Sequence, residues 1–207
     1  AGGAHGSNRL GGNGVANSTV YGGIAGDVMA ADAQKMSALH DPDETILDEE
    51  LARAIIPFSA KPGNVHELRV RLMDAMWDDV GVMRDAAGLK LGIEKIASLK
   101  TDMEKVGISA DNLAFNLSWH DWLNLQSLID TSEVIAKAGL SRENSRGAHF
   151  REDFPDAGSL DDSYFTIATS GDKGIEVNRE AVKFTIVKPG ESLLGADEAE
   201  TLVEAAQ

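Results

Sequence analysis

An arginine flanked by glycines lies close to the start of the chain, directly before an apolar segment. Residues 5–14 read HGSNRLGGNG, and mostly small and apolar residues follow from 15 to 29. Glycine lets a backbone approach a flat ligand closely. A helix that begins after such a loop directs N–H groups and partial positive charge toward a bound anion. The guanidinium of Arg9 suits a carboxylate or phosphate, because it donates two parallel hydrogen bonds. The pattern predicts an anion site next to a cofactor.

Composition limits the chemistry that this chain can perform. Its 207 residues include 19 Lys and Arg against 34 Asp and Glu, which gives a formal net charge of -15. So acidic a chain is a poor candidate for nucleic-acid binding. It has no cysteine, which excludes thiolate ligation of zinc or iron–sulfur clusters by this chain. No apolar run approaches the roughly 20 residues of a membrane-spanning helix, so we expect no direct membrane insertion.

Apolar residues recur at helical spacing in four segments. The first helix is predicted from Asn13 to about Met36. Three later segments are predicted to form a three-helix bundle, because their apolar stripes can bury one another. These segments follow Asn64, cover 89–106, and run from Asn112 to about Lys137. The first two segments have apolar stripes at Val65, Leu68, Leu72, Met76, Val80 and Met83, and at Ile93, Ile96, Met103 and Val106. The apolar residues of the third segment are spread around the helix, which predicts contact from several sides and a central position; they are Leu113, Leu117, Trp119, Trp122, Leu123, Leu128 and Ile129.

Local signals predict where these helices begin and end. Asn64 with Glu67 resembles a capping box, and Asn112 is the predicted cap of the last helix. A short helix is expected over 49–56, inside a connector. The glycines predicted to separate or end the helices are Gly88, Gly107 and Gly139.

The pattern changes after Pro155. Residues 164–169 and 182–187 are rich in strand-forming types, with a turn signal at 171–174. We expect a two-stranded antiparallel pair that lies against the bundle or another domain, since such a pair is marginal alone. Residues 197–207 are predicted to be a short acidic helix or a frayed tail. The fold class is therefore mainly α: a spectrin-repeat-like three-helix bundle, preceded by one helix and followed by a small antiparallel β pair.

Two motifs carry a family resemblance. Residues 5–26 resemble the last part of the flavin-binding domain of the succinate dehydrogenase and fumarate reductase flavoprotein family, whose usual form is H-G-A-N-R-L-G-G-N-S and then F-G-x-x-A-G. This chain has HGSNRLGGNG and then YGGIAG. Residues 144–155 read NSRGAHFREDFP, where the family typically has E-S-R-G-A-H-x-R-x-D-[FY] after a helical bundle. The order of the motifs implies the C-terminal part of such a flavoprotein.

The resemblance implies roles for the residues of the first motif. Arg9 holds a carboxylate of succinate or fumarate. Backbone amides at Asn13, Gly14 and Val15 meet the pyrimidine edge of FAD, where positive helix-end charge favours the reduced flavin. His5 contacts substrate or flavin, or makes a local hydrogen bond. Gly14 replaces the family's usual serine, which leaves the identity of the substrate open.

Several parts of a complete flavoenzyme are expected before residue 1. The chain starts without an initiator methionine and contains no G-x-G-x-x-G fingerprint. FAD is therefore expected to be bound mainly by an upstream domain, and the catalytic residues are expected there too. The predicted divisions are 1–38 for a remnant of the FAD-binding domain, 39–63 for a linker, 64–155 for the bundle and 156–207 for an extended region.

The second motif has a structural interpretation. Arg146 and His149 are predicted to brace the C-terminal part against the flavin domain, with a catalytic His149 as the alternative. His120 and Asp121 lie between two tryptophans on a predicted helix, and adjacent positions do not face one metal ion. No metal site is predicted.

The implied function is FAD-dependent hydride transfer to or from a succinate- or fumarate-like dicarboxylate, with this part alone inactive. An iron–sulfur subunit is the implied partner, and the implied location is cytoplasmic, at the inner face of a membrane through partner subunits. Two alternatives stay open: an enzyme similar to L-aspartate oxidase, and a non-catalytic assembly module that docks a redox partner through its acidic bundle. Flavin absorbance of the full-length protein separates the enzymes from the module.

Overall fold

A computed structural model describes residues 5, 11–38, 41–171, 174–189 and 191. The fold is mainly α, as predicted. The helices are α1 Asn13–Lys35, α2 Glu44–Ser59, α3 Val65–Asp78, α4 Ala86–Met103 and α5 Leu117–Ser141. The strands are β1 Met83–Arg84, β2 Phe150–Arg151, β3 Tyr164–Gly171 and β4 Gly174–Ala181, with a 3-10 turn at Leu160–Asp162. The predicted acidic tail at 197–207 lies outside the described residues.

Helices α3, α4 and α5 pack as a three-helix bundle around one core, which confirms the predicted bundle. Trp122 is 1% exposed at its centre, and its indole N–H donates to the Val106 carbonyl oxygen at 2.7 Å. This hydrogen bond satisfies the indole N–H, the polar group of the buried Trp122 ring. The fully buried apolar residues are Leu68, Leu72, Ala75, Val80, Leu89, Ile96, Leu99, Met103, Ile108, Trp122, Leu125, Ile129 and Ala136.

The start of α3 agrees with the predicted capping signal, and the start of α5 does not. The Asn64 side chain accepts a hydrogen bond from the Glu67 N–H at 3.1 Å. Helix α5 is capped by Asn116, which accepts from the Trp119 N–H at 3.0 Å, so the prediction of Asn112 was wrong. Asn112 instead donates to the Ala114 carbonyl oxygen at 2.6 Å. Its side chain organises the preceding loop.

That loop explains why two apolar residues predicted to lie on a helix contacted from several sides are exposed. Phe115 has a φ of 56°, and the chain turns there before α5 begins. Leu113 and Leu117 consequently lie on the surface, 67% and 78% exposed.

Two of the glycines predicted to end helices lie inside them. Gly88 belongs to the first turn of α4, where its N–H donates to the capping side chain of Asp85 at 2.7 Å. Gly139 lies in the last turns of α5 and is buried. A Cβ atom on Gly139 would come within 3.5 Å of the Leu89 side chain. A methyl group here would therefore make ordinary van der Waals contact with α4, and the space does not require glycine.

Gly107 follows the end of α4, as predicted. Its backbone hydrogen-bonds to the segment that precedes α3. Its N–H donates to the Lys61 carbonyl oxygen at 2.8 Å, and its own carbonyl oxygen accepts from the Gly63 N–H at 3.1 Å. A Cβ atom here would lie 2.5 Å from the Pro57 carbonyl oxygen. Only glycine fits so close a crossing of two backbones.

The β pair is antiparallel, but its second strand is not at 182–187. Strands β3 and β4 pair from Gly171↔Gly174 to Tyr164↔Ala181. Only two residues separate the strands in the sequence, so Gly174 already pairs with Gly171, and β4 ends at Ala181, before the predicted start at 182. The pair lies against α5, where the Lys137 ammonium donates to the Ile175 carbonyl oxygen at 3.2 Å.

A second, parallel pair was not predicted. Strands β1 and β2 pair Met83↔Phe150 and Arg84↔Arg151. Met83 is 64% exposed in β1, so its assignment to the core was wrong: the chain has already left α3 at Asp78.

Helix α1 makes few contacts with the bundle, whereas α2 is joined to α5. The Trp119 indole N–H donates to the Ala54 carbonyl oxygen, and the Arg53 guanidinium donates to the Gln126 side chain, both at 2.6 Å. Helix α2 is longer than the predicted 49–56, and Pro57 is its buried residue.

None of the side chains of α1 is buried. Val15, Tyr21 and Met29 are 77%, 57% and 70% exposed. These apolar side chains have no cover within the described part of the chain.

We expect the amides of α5 to exchange with solvent far more slowly than those of α1 in this chain. Exchange reports local opening, and α5 is held by core packing while α1 is not. Hydrogen exchange with mass spectrometry on the 207-residue chain measures this difference. Equal protection of residues 15–29 and of α5 in a monomer would contradict it.

Candidate functional site

Helix α1 begins with backbone donors that no helical carbonyl can satisfy. Gly12 precedes the helix with a φ of 83°, and no side chain caps the first turn. The first intrahelical bond is donated by Ala16 to the Gly12 carbonyl oxygen at 3.4 Å. The N–H groups of Asn13, Gly14 and Val15 therefore precede the helical hydrogen-bond ladder. A helix start of this kind suits an anion or the polar edge of a flat ligand.

His5 lies next to this helix start. The Asn17 side-chain amide donates to its Nε2 atom at 2.6 Å. The local hydrogen bond weighed from the sequence is therefore present. Arg9 lies outside the described residues, so its role as a carboxylate ligand stays a prediction. Of the predicted site residues, the structure brings together His5 and the start of α1.

The second motif surrounds a buried arginine. Arg151 is 1% exposed. Its Nη1 atom donates to the carbonyl oxygens of Gly139, Leu140 and Arg142 at 3.0, 3.2 and 3.0 Å. These carbonyls belong to the end of α5, where a helix leaves acceptors unpaired. Arg151 thus caps α5 with a positive charge at the negative end of the helix dipole.

The other side of the same guanidinium binds a carboxylate. Its Nε and Nη2 atoms donate to the two Asp153 oxygens, both at 2.7 Å. Asp153 also accepts from the Ala86 N–H at 2.9 Å, in the first turn of α4. The hydrogen bond from Arg151 lowers the pKa of Asp153 from 3.8 to about 2. One ion pair therefore ties the end of α5 to the start of α4.

His149 is enclosed by arginines. It is 4% exposed, and its Nδ1 atom accepts from the Arg84 guanidinium at 3.0 Å. Its Nε2 atom lies 3.5 Å from the Arg142 carbonyl oxygen. Burial lowers the pKa of His149, and the charges of Arg84, Arg142 and Arg151 lower it further. A neutral imidazole with both nitrogens engaged fits the structural interpretation.

Arg146 connects the motif to the segment before β3. Its Nε atom donates to the Ala157 carbonyl oxygen at 2.5 Å, and Nη1 donates to the Ser163 hydroxyl at 2.9 Å. It also donates to the Ser159 carbonyl oxygen. These contacts are all within the chain, so bracing is their observed effect. Bracing against a flavin domain stays a prediction.

Sequence reasoning missed two arginines that stack on one ring. Arg142 and Arg179 lie 4.6 and 4.7 Å from the centre of the Tyr164 ring. Arg142 also donates to the Thr166 hydroxyl at 3.0 Å, and Arg179 donates to the Ser141 carbonyl oxygen. Together they fasten the β pair to the end of α5. No spacing signal pointed to them, because the three residues meet only in the folded chain.

The pH dependence of stability follows from His149. Its pKa is lower in the folded state than the ordinary 6.5, so the unfolded chain binds more protons as the pH falls. The contribution of His149 to the free energy of unfolding is therefore fully present above pH 6.5. It is lost as the pH falls through the lower pKa of the folded state. We expect the free energy of unfolding to fall more steeply on acidification in the wild type than in His149→Gln, whose amide can still accept from Arg84.

Urea denaturation between about pH 7.5 and about pH 5 measures this slope. His120→Gln replaces an exposed histidine on α5 and should keep the wild-type slope. A His149→Gln curve parallel to the wild type would show that His149 is not the group responsible.

No group of three or more metal-ligating side chains exists among the described residues, and no described helix is long and apolar enough to cross a membrane. The arrangement offers an open helix start for an anion or cofactor, and a separate arginine cluster that holds the fold together.

Comparisons with known proteins agree with this architecture. The family described as fumarate reductase flavoprotein C-term matches residues 69–193. A fumarate reductase (CoM/CoB) polypeptide of Methanothermobacter marburgensis is 34% identical over 158 residues, covering 75% of this chain and 28% of the relative. An uncharacterized FAD-dependent oxidoreductase of Methanocaldococcus jannaschii is 33% identical over 157 residues, again covering 75% and 28%.

A solved structure, Mycobacterium smegmatis Sdh1 in complex with UQ1, has a TM-score of 0.79 and 28% identity, covering 98% of this chain and 34% of that chain. The chain therefore spans about a third or less of the length of these proteins. The family match includes the bundle from residue 69 onward, the second motif and the β pair, and it extends over more than half of the sequence. This chain belongs to the family of fumarate reductase flavoprotein C-terminal regions.

Proposed function

We propose that this chain is the C-terminal part of an FAD-dependent oxidoreductase that transfers hydride to or from a succinate- or fumarate-like dicarboxylate. The observation that carries the proposal is the open, glycine-led start of α1 in a chain of this flavoprotein family. The name of the Methanothermobacter marburgensis relative, a fumarate reductase, supports this substrate pair.

The start of α1 fits the pyrimidine edge of a flavin. Gly14 has no side chain to obstruct a flat ring, and Val15 is 77% exposed. When bound, FAD supplies hydride transfer at its N5 atom. The backbone N–H groups of Asn13, Gly14 and Val15 would hold the ring edge that becomes negative on reduction. The partial positive charge of the helix end stabilises that negative form.

Arg9 and His5 are assigned to the substrate. Arg9 precedes the helix start by four residues and grips one carboxylate of the dicarboxylate through two hydrogen bonds. His5 lies beside the start of α1, where its Nε2 atom accepts a hydrogen bond from the Asn17 amide. The remaining catalytic groups, and most of the FAD site, belong to an upstream part of the protein.

The proposal extends to the partners. The exposed apolar side chains of α1 pack against the upstream domain. An iron–sulfur subunit exchanges electrons with the flavin, and it links the protein to the cytoplasmic face of a membrane. The 207-residue chain alone holds too few of the contacts to retain FAD or to catalyse the reaction.

Purified full-length protein provides the test. We expect a flavin absorbance spectrum that is bleached by succinate under anaerobic conditions and restored by fumarate. The 207-residue chain is the control and should show no flavin. A full-length protein without flavin would overturn the proposal in favour of an assembly module. Bleaching by L-aspartate and not by succinate would favour an enzyme similar to L-aspartate oxidase.

A further inference from the structure

Helix α1 begins with Asn13 and Gly14, which form the only Asn-Gly step in the chain. An asparagine side chain is open to attack at its Cγ atom by the backbone nitrogen of the following residue. Glycine obstructs this approach least, because it has no Cβ atom and adopts conformations that other residues avoid. The family usually has serine where this chain has Gly14, so this chain combines the reactive amide with its least hindered neighbour.

The backbone nitrogen of Gly14 is not held by the helix. The first hydrogen bond of the helical ladder is donated by Ala16, and no side chain caps the first turn. The Gly14 N–H therefore has no acceptor among the described residues, as is usual in the first turn of a helix. A nitrogen engaged with an acceptor would have to break that hydrogen bond before it could react.

The first turn of α1 opens readily, which the reaction requires. Asn13 has to leave the helical conformation before its Cγ atom and the Gly14 nitrogen can meet. Gly12 and Gly14 disfavour a helix on both sides of Asn13, and none of the side chains of α1 is buried. An uncapped helix end without packing contacts opens at little cost in free energy.

We propose that Asn13 is a site of spontaneous deamidation in protein without bound FAD. The Gly14 nitrogen forms a bond to the Asn13 Cγ atom, and the bond from Cγ to the side-chain nitrogen breaks. Ammonia leaves with the proton that the Gly14 nitrogen gives up. Water then opens the succinimide ring at one of its two carbonyl carbons, which yields aspartate or isoaspartate. No oxidant, reductant or enzyme takes part.

The new carboxylate changes what the start of α1 can bind. A negative charge in the first turn interacts favourably with the helix dipole and with free N–H groups, so it competes for the donors that the proposed function assigns to the flavin edge. Isoaspartate also lengthens the backbone before Gly14 and displaces those donors. Deamidated protein therefore takes up less FAD. This consequence rests on the proposed function, whereas the modification itself does not.

Peptide mapping by mass spectrometry tests the modification. Full-length protein is freed of FAD, incubated at neutral pH and sampled over time. We expect the peptide with Asn13 to gain the mass that separates an acid from an amide, and isoaspartate to appear at that position. Protein with bound FAD and the FAD-free Gly14→Ser variant should each convert several-fold more slowly. No conversion in the FAD-free protein, or an unchanged rate in either comparison, would overturn the proposal.

Asn144 is the control within the same sample. It also precedes a small residue, Ser145, but it is only 8% exposed, and the Ser145 N–H donates to the Asp156 carbonyl oxygen at 2.9 Å. Asn144 should therefore keep its amide while Asn13 loses it. Equal conversion at the two positions would contradict a site created by the open start of α1.

Asn13→Asp tests the consequence for FAD in the full-length protein. We expect this variant to retain several-fold less FAD than the wild type, measured as flavin absorbance per polypeptide. Asn124→Asp adds the same charge at an exposed position of α5 and should retain the wild-type amount. Equal retention in Asn13→Asp and the wild type would refute the effect on FAD. A wild-type protein without FAD would refute the proposed oxidoreductase, whereas the comparison of Asn13 with Asn144 and with Gly14→Ser would still decide the modification.

Discussion

Replacing Arg9 with alanine in the full-length protein is expected to lower kcat/KM for its dicarboxylate by about tens to thousands of fold. The loss arises because a bound carboxylate would have no charged partner. FAD should remain bound, because the contacts proposed for this chain are backbone N–H groups at the start of α1. Steady-state kinetics with succinate and fumarate, measured beside the flavin spectrum, separate the two effects.

Arg9→Lys distinguishes geometry from charge. Lysine offers one point charge where arginine offers two parallel donors, so Arg9→Lys should also lose most of the activity. Arg71→Ala changes an exposed arginine of α3 that pairs with Asp102 at 2.9 Å, and it should retain wild-type turnover. Wild-type turnover in Arg9→Ala would show that the carboxylate is held elsewhere.

Arg151→Met is expected to lower the free energy of unfolding of this chain by about 2–5 kcal/mol. Methionine approximates the length of the side chain but donates no hydrogen bonds. The carbonyls of Gly139, Leu140 and Arg142 would lose their donor at a buried position, and Asp153 would lose the partner that joins it to α5.

Arg71→Met is the matched control, because its ion pair with Asp102 is largely exposed. Exposed pairs contribute about 0–1 kcal/mol. Urea denaturation followed by circular dichroism compares the two variants with the wild type. Equal small losses would show that the cap at the end of α5 contributes no more than a surface ion pair.

The sequence predicted the elements whose signals are local. Leu68 and Leu72 repeat at helical spacing, and Asn64 with Glu67 marks a helix start, so the bundle could be recognised from periodicity and capping. The N-terminal motif likewise predicted the open start of α1 at Asn13, because glycines before an apolar segment act through the backbone.

Features created by tertiary contacts could not be predicted in this way. Arg151 donates to carbonyls of residues 139, 140 and 142, and backbone acceptors leave no trace in side-chain spacing. Strands of two residues, such as β1, are too short to show a period. Residues 182–187 have the stronger strand composition, yet the short connection between Gly171 and Gly174 decides which residues pair.

The position of Arg151 and Asp153 has a consequence for synthesis of the protein. Both residues follow all three bundle helices in the chain, and their ion pair joins the end of α5 to the start of α4. A nascent chain that has emerged from the ribosome only as far as Ser141 therefore has the apolar faces of the bundle helices but lacks the ion pair between Arg151 and Asp153. A further dozen residues must be translated before this ion pair can form. Truncations before Asp153 should thus populate a loosely closed intermediate, whereas truncations after the motif should not.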